Sequence, residues 1–278
     1  MIFRGSYNPI TMPKIVHNYE QISDIPNAVL YLSASGLATN TTNTYGTVDN
    51  SNKISYWNSL ITPQINGVQL TGSNQPTLDI DGNGVKSVLF NGSNYFNFSS
   101  LFSLGFCTIV MVFKPTNNIT AGSTNQAILY TDNGTRSIVS AMFFGETSGA
   151  ATNETIDITS WRNPWNNYYF CGSYTRTNIY NNVINKLVIN GDSGIEYILN
   201  NSPISVYDYL PGSTGYIRVF PDPILYNGTL SNIGVLGASY DGSSGLNGRL
   251  YELIIFNRKL YSYEQTYIDY VLNLKYGI

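Results

Sequence analysis

The chain has 278 residues, of which 11% are charged, 42% hydrophobic and 14% aromatic, a profile that excludes a disordered chain, a collagen and a long coiled coil. Its 17 acidic and 14 basic residues leave a formal charge of −3, so no basic field draws phosphate backbones and nucleic acid is not an expected partner. The length allows one large all-β domain or two smaller ones.

Residues 1 to 27 come first. Pro9, Pro13 and Pro26, the single histidine His17 and scattered apolar residues follow neither a period of 2 nor one of 3.6, which predicts an extended arm used for attachment. The opening Met1-Ile2-Phe3-Arg4-Gly5-Ser6-Tyr7 lacks the apolar run of a signal peptide, and no stretch of 18 apolar residues occurs. The expectation is a chain that is neither exported through a leader nor threaded through a membrane.

From Ala28 the pattern alternates strand and turn. Val29-Leu30-Tyr31-Leu32 predicts a strand, and the Thr/Asn-rich stretch Ala38 to Asn52 a polar loop. Val85 to Phe90 runs into an Asn91-Gly92 turn. Thr108 to Phe113 is apolar on both faces, as a central strand requires, and Lys114-Pro115 stops it. Ala127 to Tyr130 and Ser137 to Ser140 flank an Asp132-Asn133-Gly134 hairpin turn, and Ala141 to Phe144 follows. Further strands are expected at Tyr168 to Tyr174, Asn185 to Ile189, Tyr216 to Phe220 and Ser231 to Ala238, with the strongest at Arg249 to Phe256. A capping box at Ser262-Tyr263-Glu264-Gln265 opens a helix, Tyr263 to Lys275, that buries Tyr267, Val271 and Leu274 and ends at Gly277. Strands without interleaved helices predict an antiparallel sandwich.

Several segments taken in order carry a resemblance. They are Val29-Leu30-Tyr31-Leu32-Ser33-Ala34-Ser35, Tyr56-Trp57-Asn58-Ser59, Gln75-Pro76-Thr77, Val88-Leu89-Phe90-Asn91-Gly92-Ser93-Asn94-Tyr95-Phe96, Thr108 to Pro115, Gly248 to Asn257, and the closing Glu264 with Leu274-Lys275-Tyr276-Gly277-Ile278. With these the chain resembles the laminin G-like, or concanavalin A-like, jelly-roll modules of bacterial and viral surface proteins. The resemblance implies an all-β, two-sheet antiparallel jelly-roll sandwich over residues 28–278, preceded by the arm of residues 1–27 and closed by one short C-terminal helix. It also implies ligands at a concave face or its rim loops, and it transfers no catalytic residue, because the scaffold serves lectins, adhesion modules and enzymes alike.

Catalysis is not expected. Glycoside cleavage needs two facing carboxylates, and the six glutamates, Glu20, Glu146, Glu154, Glu196, Glu252 and Glu264, include no Glu-x-Asp-x-x-Glu strand. Glu252 reads as a strand residue bonded to backbone or to an arginine. Asp79-x-Asp81-x-Asn83-Gly84 matches half a calcium loop, but its twelfth position is Phe90, so a turn is the expectation. Asp241, in Asp241-Gly242-Ser243-Ser244-Gly245, is the remaining metal candidate, for calcium at a rim loop. No other cofactor is expected. Cys107 and Cys171 sit in apolar settings and read as buried free thiols, with a single bridge as the alternative.

The densest polar and aromatic cluster is Trp161-Arg162-Asn163-Pro164-Trp165-Asn166-Asn167-Tyr168-Tyr169. Flat rings pack on the apolar face of a sugar while Asn amides and Arg bond its hydroxyls, which makes Trp161, Arg162, Asn163, Trp165, Asn167 and Tyr168 candidate ligand residues. The same residue types also fill cores and anchor protein interfaces. Low charge and a neutral Asn, Ser and Thr surface suit docking into an assembly or holding a glycan. The leading expectation is therefore a non-enzymatic structural protein of a virus particle, a bacteriophage decoration or fibre component. It would be attached to other virion proteins through its arm, form a homo-oligomer or part of a larger assembly, and contact host surface polysaccharide. The alternative is a carbohydrate-binding module of a secreted or cell-surface protein, and a third reading is a glycan hydrolase or lyase.

Overall fold

The computed structural model describes residues 19–104, 107–115, 126–130, 141–145, 155–162, 168–175, 184–191, 195–204, 206–209, 218–219, 230–238 and 245–278. In chain order the strands begin with β1 (Ala28–Ser33), β2 (Thr41–Asn43), β3 (Gly46–Val48), β4 (Ile54–Trp57), β5 (Gly67–Val68), β6 (Thr77–Ile80) and β7 (Lys86–Asn91). They continue with β8 (Phe96–Leu104), β9 (Thr108–Pro115), β10 (Gln126–Tyr130), β11 (Ala141–Gly145), β12 (Thr155–Arg162), β13 (Tyr168–Thr175) and β14 (Asn185–Gly191). The last are β15 (Ile195–Leu199), β16 (Ser202–Ile204), β17 (Val206–Tyr209), β18 (Arg218–Val219), β19 (Leu230–Leu236) and β20 (Asn247–Phe256), and helix α1 (Ser262–Tyr276) closes the chain.

All the described pairings are antiparallel, and they make two sheets. The smaller runs β16-β15-β14-β9-β20-β7-β6 with β1 also on β20, and the larger runs β18-β17-β13-β12-β11-β10-β19-β8-β5-β4-β3-β2. One core contains residues of both sheets: Leu32, Val88, Met111 and Leu253 from the smaller, with Trp57, Phe96, Leu129 and Leu236 from the larger. Burying each such side chain is worth about 1.5–3 kcal/mol. The Trp57 indole N–H also donates to the Ser33 carbonyl at 3.1 Å, which joins the two layers by a hydrogen bond as well as by packing. The expected two-sheet antiparallel sandwich is therefore what forms.

A second core lies on the other face of the smaller sheet. Val110, Val112, Val188, Ile254 and Phe256 meet Ile268 and Leu272 of α1 there, and Ile22 and Ile25 join them. Tyr19 to Asn27 thus pack on the body: Ile25 is 1% exposed, Tyr19 Oη donates to Glu264 at 3.2 Å, and the Arg258 guanidinium donates to the Pro26 carbonyl at 3.2 Å. The part of the expected arm from Tyr19 onward belongs to the second core, because two isoleucines three apart on a short 3-10 turn (Ile22–Asp24) bury together. Residues 1–18, His17 among them, lie outside the described residues.

Several sequence expectations change here. The Ala38 to Asn52 stretch is not all loop: it contains the β2-β3 hairpin, in which the Asn43 side chain accepts from the Tyr45 and Gly46 N–H groups and Val48 is buried. β8, β12 and β15 to β17 also go unannounced, since their Ser, Thr, Asn and Tyr residues blur the apolar alternation. Ser137 to Ser140 and the Asp132-Asn133-Gly134 turn lie outside the described residues, and of Tyr216 to Phe220 only β18 is described. Two consecutive asparagines, Asn200 and Asn201, take left-handed backbone angles (φ 47° and 65°) to join β15 to β16, which is the conformation a two-residue hairpin demands.

The helix begins one residue earlier than its sequence signal. Tyr261 is the N-cap, and Glu264, not Gln265, accepts from its backbone N–H at 2.9 Å. Gly277 stops the helix in the left-handed conformation (φ 70°) with its N–H on the Asn273 carbonyl at 2.7 Å. Its buried seam is Glu264, Ile268 and Leu272, one residue per turn, flanked by the half-buried Tyr267 and Val271, while Leu274 is 70% exposed. That rotation lets Glu264 reach Arg258 on one end and Lys275 reach the sheet on the other. Leu272→Ala is expected to cost about 2–5 kcal/mol in urea unfolding, and Leu274→Ala to stay within about 0.5 kcal/mol.

Candidate functional site

Ionic contacts concentrate under α1. Glu252 of β20 is fully buried, and its Oε1 accepts from Ser33 Oγ (3.0 Å), Lys275 Nζ (2.7 Å) and Tyr276 Oη (2.6 Å), while Oε2 has no protein partner. The expected backbone or arginine partner is thus replaced by a serine, a lysine and a tyrosine. Burial pushes this carboxyl above the usual range, against the pull of Lys275 and the three donors. Lys186, fully buried in β14, gives its ammonium to Asp269 (2.5 Å) and to the Asn201 side chain (2.6 Å). Arg258 grips Glu264 through both oxygens at 2.6 and 2.7 Å. Burial alone would raise the Glu264 carboxyl, but the Arg258 fork and the Tyr261 N–H outweigh it and hold the group below the ordinary range.

These contacts are structural in geometry. Glu252, Asp269 and Glu264 are each used by cations or hydroxyls that fix the helix. The two glutamates titrate in opposite senses. Glu264 adds stability above its unfolded value near 4.5 that is lost as pH falls through its lower folded value, whereas Glu252 favours the fold below 4.5 and loses that contribution as pH rises. Glu264→Gln is therefore expected to destabilise the protein by about 1–3 kcal/mol at neutral pH, with the gap to wild type narrowing in acid. Glu252→Gln should flatten the loss of stability that sets in as pH rises above about 4.5 in a melting-temperature series.

The half calcium loop is a turn. Asp81 Oδ1 accepts from the Asn83 and Val85 N–H groups at 2.9 Å each, and Asp79 Oδ2 pairs with the Arg249 guanidinium at 2.6 Å, so both acids are engaged by the chain itself. Among the described residues no three His, Cys, Asp or Glu side chains gather as a metal set. Asp241 lies outside the described residues. Cys107 is a free buried thiol, pushed up to about 12 by burial, and Cys171 lies on β13 opposite Ile158 and Val206.

The aromatic cluster falls on the β12-β13 hairpin, with Asn163, Trp165 and Asn167 outside the described residues. The register pairs Trp161 with Tyr169 and Arg162 with Tyr168. Neighbours along a strand belong to opposite faces, so the contiguous cluster is split: Trp161 and Tyr169 share one face, Arg162 and Tyr168 the other. β17 extends both rows, adding Asp208 and then Arg218 of β18 to the Trp161 row, and Tyr209 to the Arg162 row. The next row, on the same face as Arg162, is Ser160, Phe170, Tyr207 and Val219.

Which face is which follows from the ladder. Leu129 is buried in the inter-sheet core and pairs with the equally buried Leu236. Its neighbour Tyr130, on the opposite face, pairs with Ala141, and Ala141 pairs with Ser160. Ser160, Phe170, Tyr207, Arg162, Tyr168 and Tyr209 therefore occupy the face away from the Leu129 row, and Trp161 the face that carries the core. Tyr207 and Tyr209 are 39 and more residues from Tyr168 in sequence, and nothing local in the chain points to them.

No protein-family model matches the chain, and no curated protein matches it. Solved structures do. The binding domain of Paraclostridial Mosquitocidal Protein 1 aligns over 91% of this chain and 54% of its own, at 16% identity and a TM-score of 0.49. Domain 4 of AbnA, an extracellular arabinanase of family GH43 from Geobacillus stearothermophilus solved with arabinotriose, aligns over 86% of this chain and 97% of its own, at 14% identity and a TM-score of 0.45. The receptor binding domain of botulinum neurotoxin D aligns over 89% and 53%, at 10% identity and a TM-score of 0.46. The chain thus spans about half the length of the first and third of these. Their TM-scores all lie below 0.5.

Proposed function

We propose that this protein is a non-catalytic, concanavalin A-like carbohydrate-binding module of a secreted or cell-surface protein, with its site on the β12-β13-β17 end of the larger sheet. The observation that carries this reading is the register itself. It brings Tyr168 and Phe170 of β13 beside Tyr209 and Tyr207 of β17, on the face away from the Leu129 row, with Arg162 of the adjacent β12 at the end of the first row. Aromatic rings on a rigid ladder offer large apolar area at low entropic cost, and phenol hydroxyls and a guanidinium add directed hydrogen bonds, which is the chemistry of sugar recognition. Strands hold such a constellation more firmly than loops.

A structural role in a virus particle has less to stand on. Its expected attachment is through an arm of residues 1–27, of which Tyr19 to Asn27 are packed into the second core. A polysaccharide array probed with the full chain and with a Tyr168→Ala/Tyr209→Ala variant tests the proposal. The expected result is that the wild type retains at least one glycan, that the variant loses about tenfold or more in affinity, and that both melt within a few degrees of each other. A wild type that retains nothing, or a variant that binds as well as wild type, would overturn it.

A further inference from the structure

The two aromatic rows carry a single charge. Of Arg162, Tyr168, Tyr209, Ser160, Phe170, Tyr207 and Val219, only Arg162 is ionised, and no acidic residue holds a position beside it in either row. The neighbouring Asp208 and Arg218 pair with each other in register, on the opposite face.

We infer, building on the glycan-binding reading above, that the preferred ligand is a uronic acid polymer, with a sugar carboxylate at Arg162 and the following sugars along Tyr168 and Tyr209. The planar guanidinium fork matches a carboxylate in a bidentate way that a hydroxyl does not, and a charge-assisted pair of that kind is about twice as strong as a neutral one. Adjacent strands lie about 4.8 Å apart, close to the advance of one sugar ring along a chain, so a polymer crossing the strands meets one register position per sugar. The net charge of −3 on the whole chain is spread thinly and is screened over about 10 Å at ordinary salt, so it does not oppose a local anion.

Calorimetric titration of the full chain with polygalacturonate and with its methyl ester tests this, because the two polymers share a backbone and differ in charge. The acid form is expected to bind about tenfold tighter, the advantage should shrink at high salt, and Arg162→Gln should bring the affinity for the acid down to that for the ester. Equal binding of acid and ester, an equal loss of both in Arg162→Gln, or retention of neutral array glycans with neither polymer bound would each overturn the carboxylate preference while leaving the glycan-binding reading in place. Failure to bind any glycan would overturn both.

Discussion

The fold depends on how one strand, β20, serves three partners and two cores at once. Along one edge it pairs with β9 from Gly248 to Phe256; along the other it pairs with β7 through Asn247 to Leu250 and then with β1 through Glu252 to Phe256. The handover coincides with a bulge between Leu250 and Glu252. A bulge breaks strict alternation, and its effect here is visible in the burial: Leu250 and Leu253 lie in the inter-sheet core, while Tyr251 belongs to the second core and Glu252 bonds α1. Without that irregularity the carboxylate and the tyrosine would fall on opposite sides of the sheet.

The helix is positioned by what the bulge presents. Lys275 and Tyr276 reach Glu252, the Tyr276 ring meets Tyr251 edge-on at 5.5 Å, and at the other end of the helix Arg258 fixes Glu264, whose second task is to cap Tyr261. Apolar burial of Ile268 and Leu272 supplies the larger favourable energy, but it is non-directional and would tolerate rotation of the helix. Three ion pairs spaced along α1, at Glu264, Asp269 and Lys275, remove that freedom. A buried pair gains little net energy and costs a great deal when one partner is lost, which suits it to specifying one arrangement.

What could be read from the residues follows from this division. β9 and β20 are apolar on both faces because both faces are covered, so their signal survives without any knowledge of the partners. β17 is only four residues (Val206-Tyr207-Asp208-Tyr209) and β2 and β3 are three residues each, so local periodicity cannot tell them from loop. The helix was legible in extent and misread in rotation: Tyr267, Val271 and Leu274 have helical spacing, but a buried carboxylate outranks them, since Glu264 is drawn inward by an arginine that apolar counting ignores.

The candidate site shows the same limit more sharply. Trp161 and Arg162 are adjacent in sequence and belong to opposite faces of the sheet, whereas Tyr168 and Tyr209 are far apart in sequence and adjacent in register. A linear cluster of aromatics is therefore an address on the sheet and not yet a site; the site is whichever alternate members share a face with residues that strand pairing brings from elsewhere. On this sheet the pairing places Trp161 on the face of the Leu129 row, and Arg162 with four aromatic residues on the other. The partition follows from the two-residue period of a strand, and it divides one contiguous segment between two faces of the sheet.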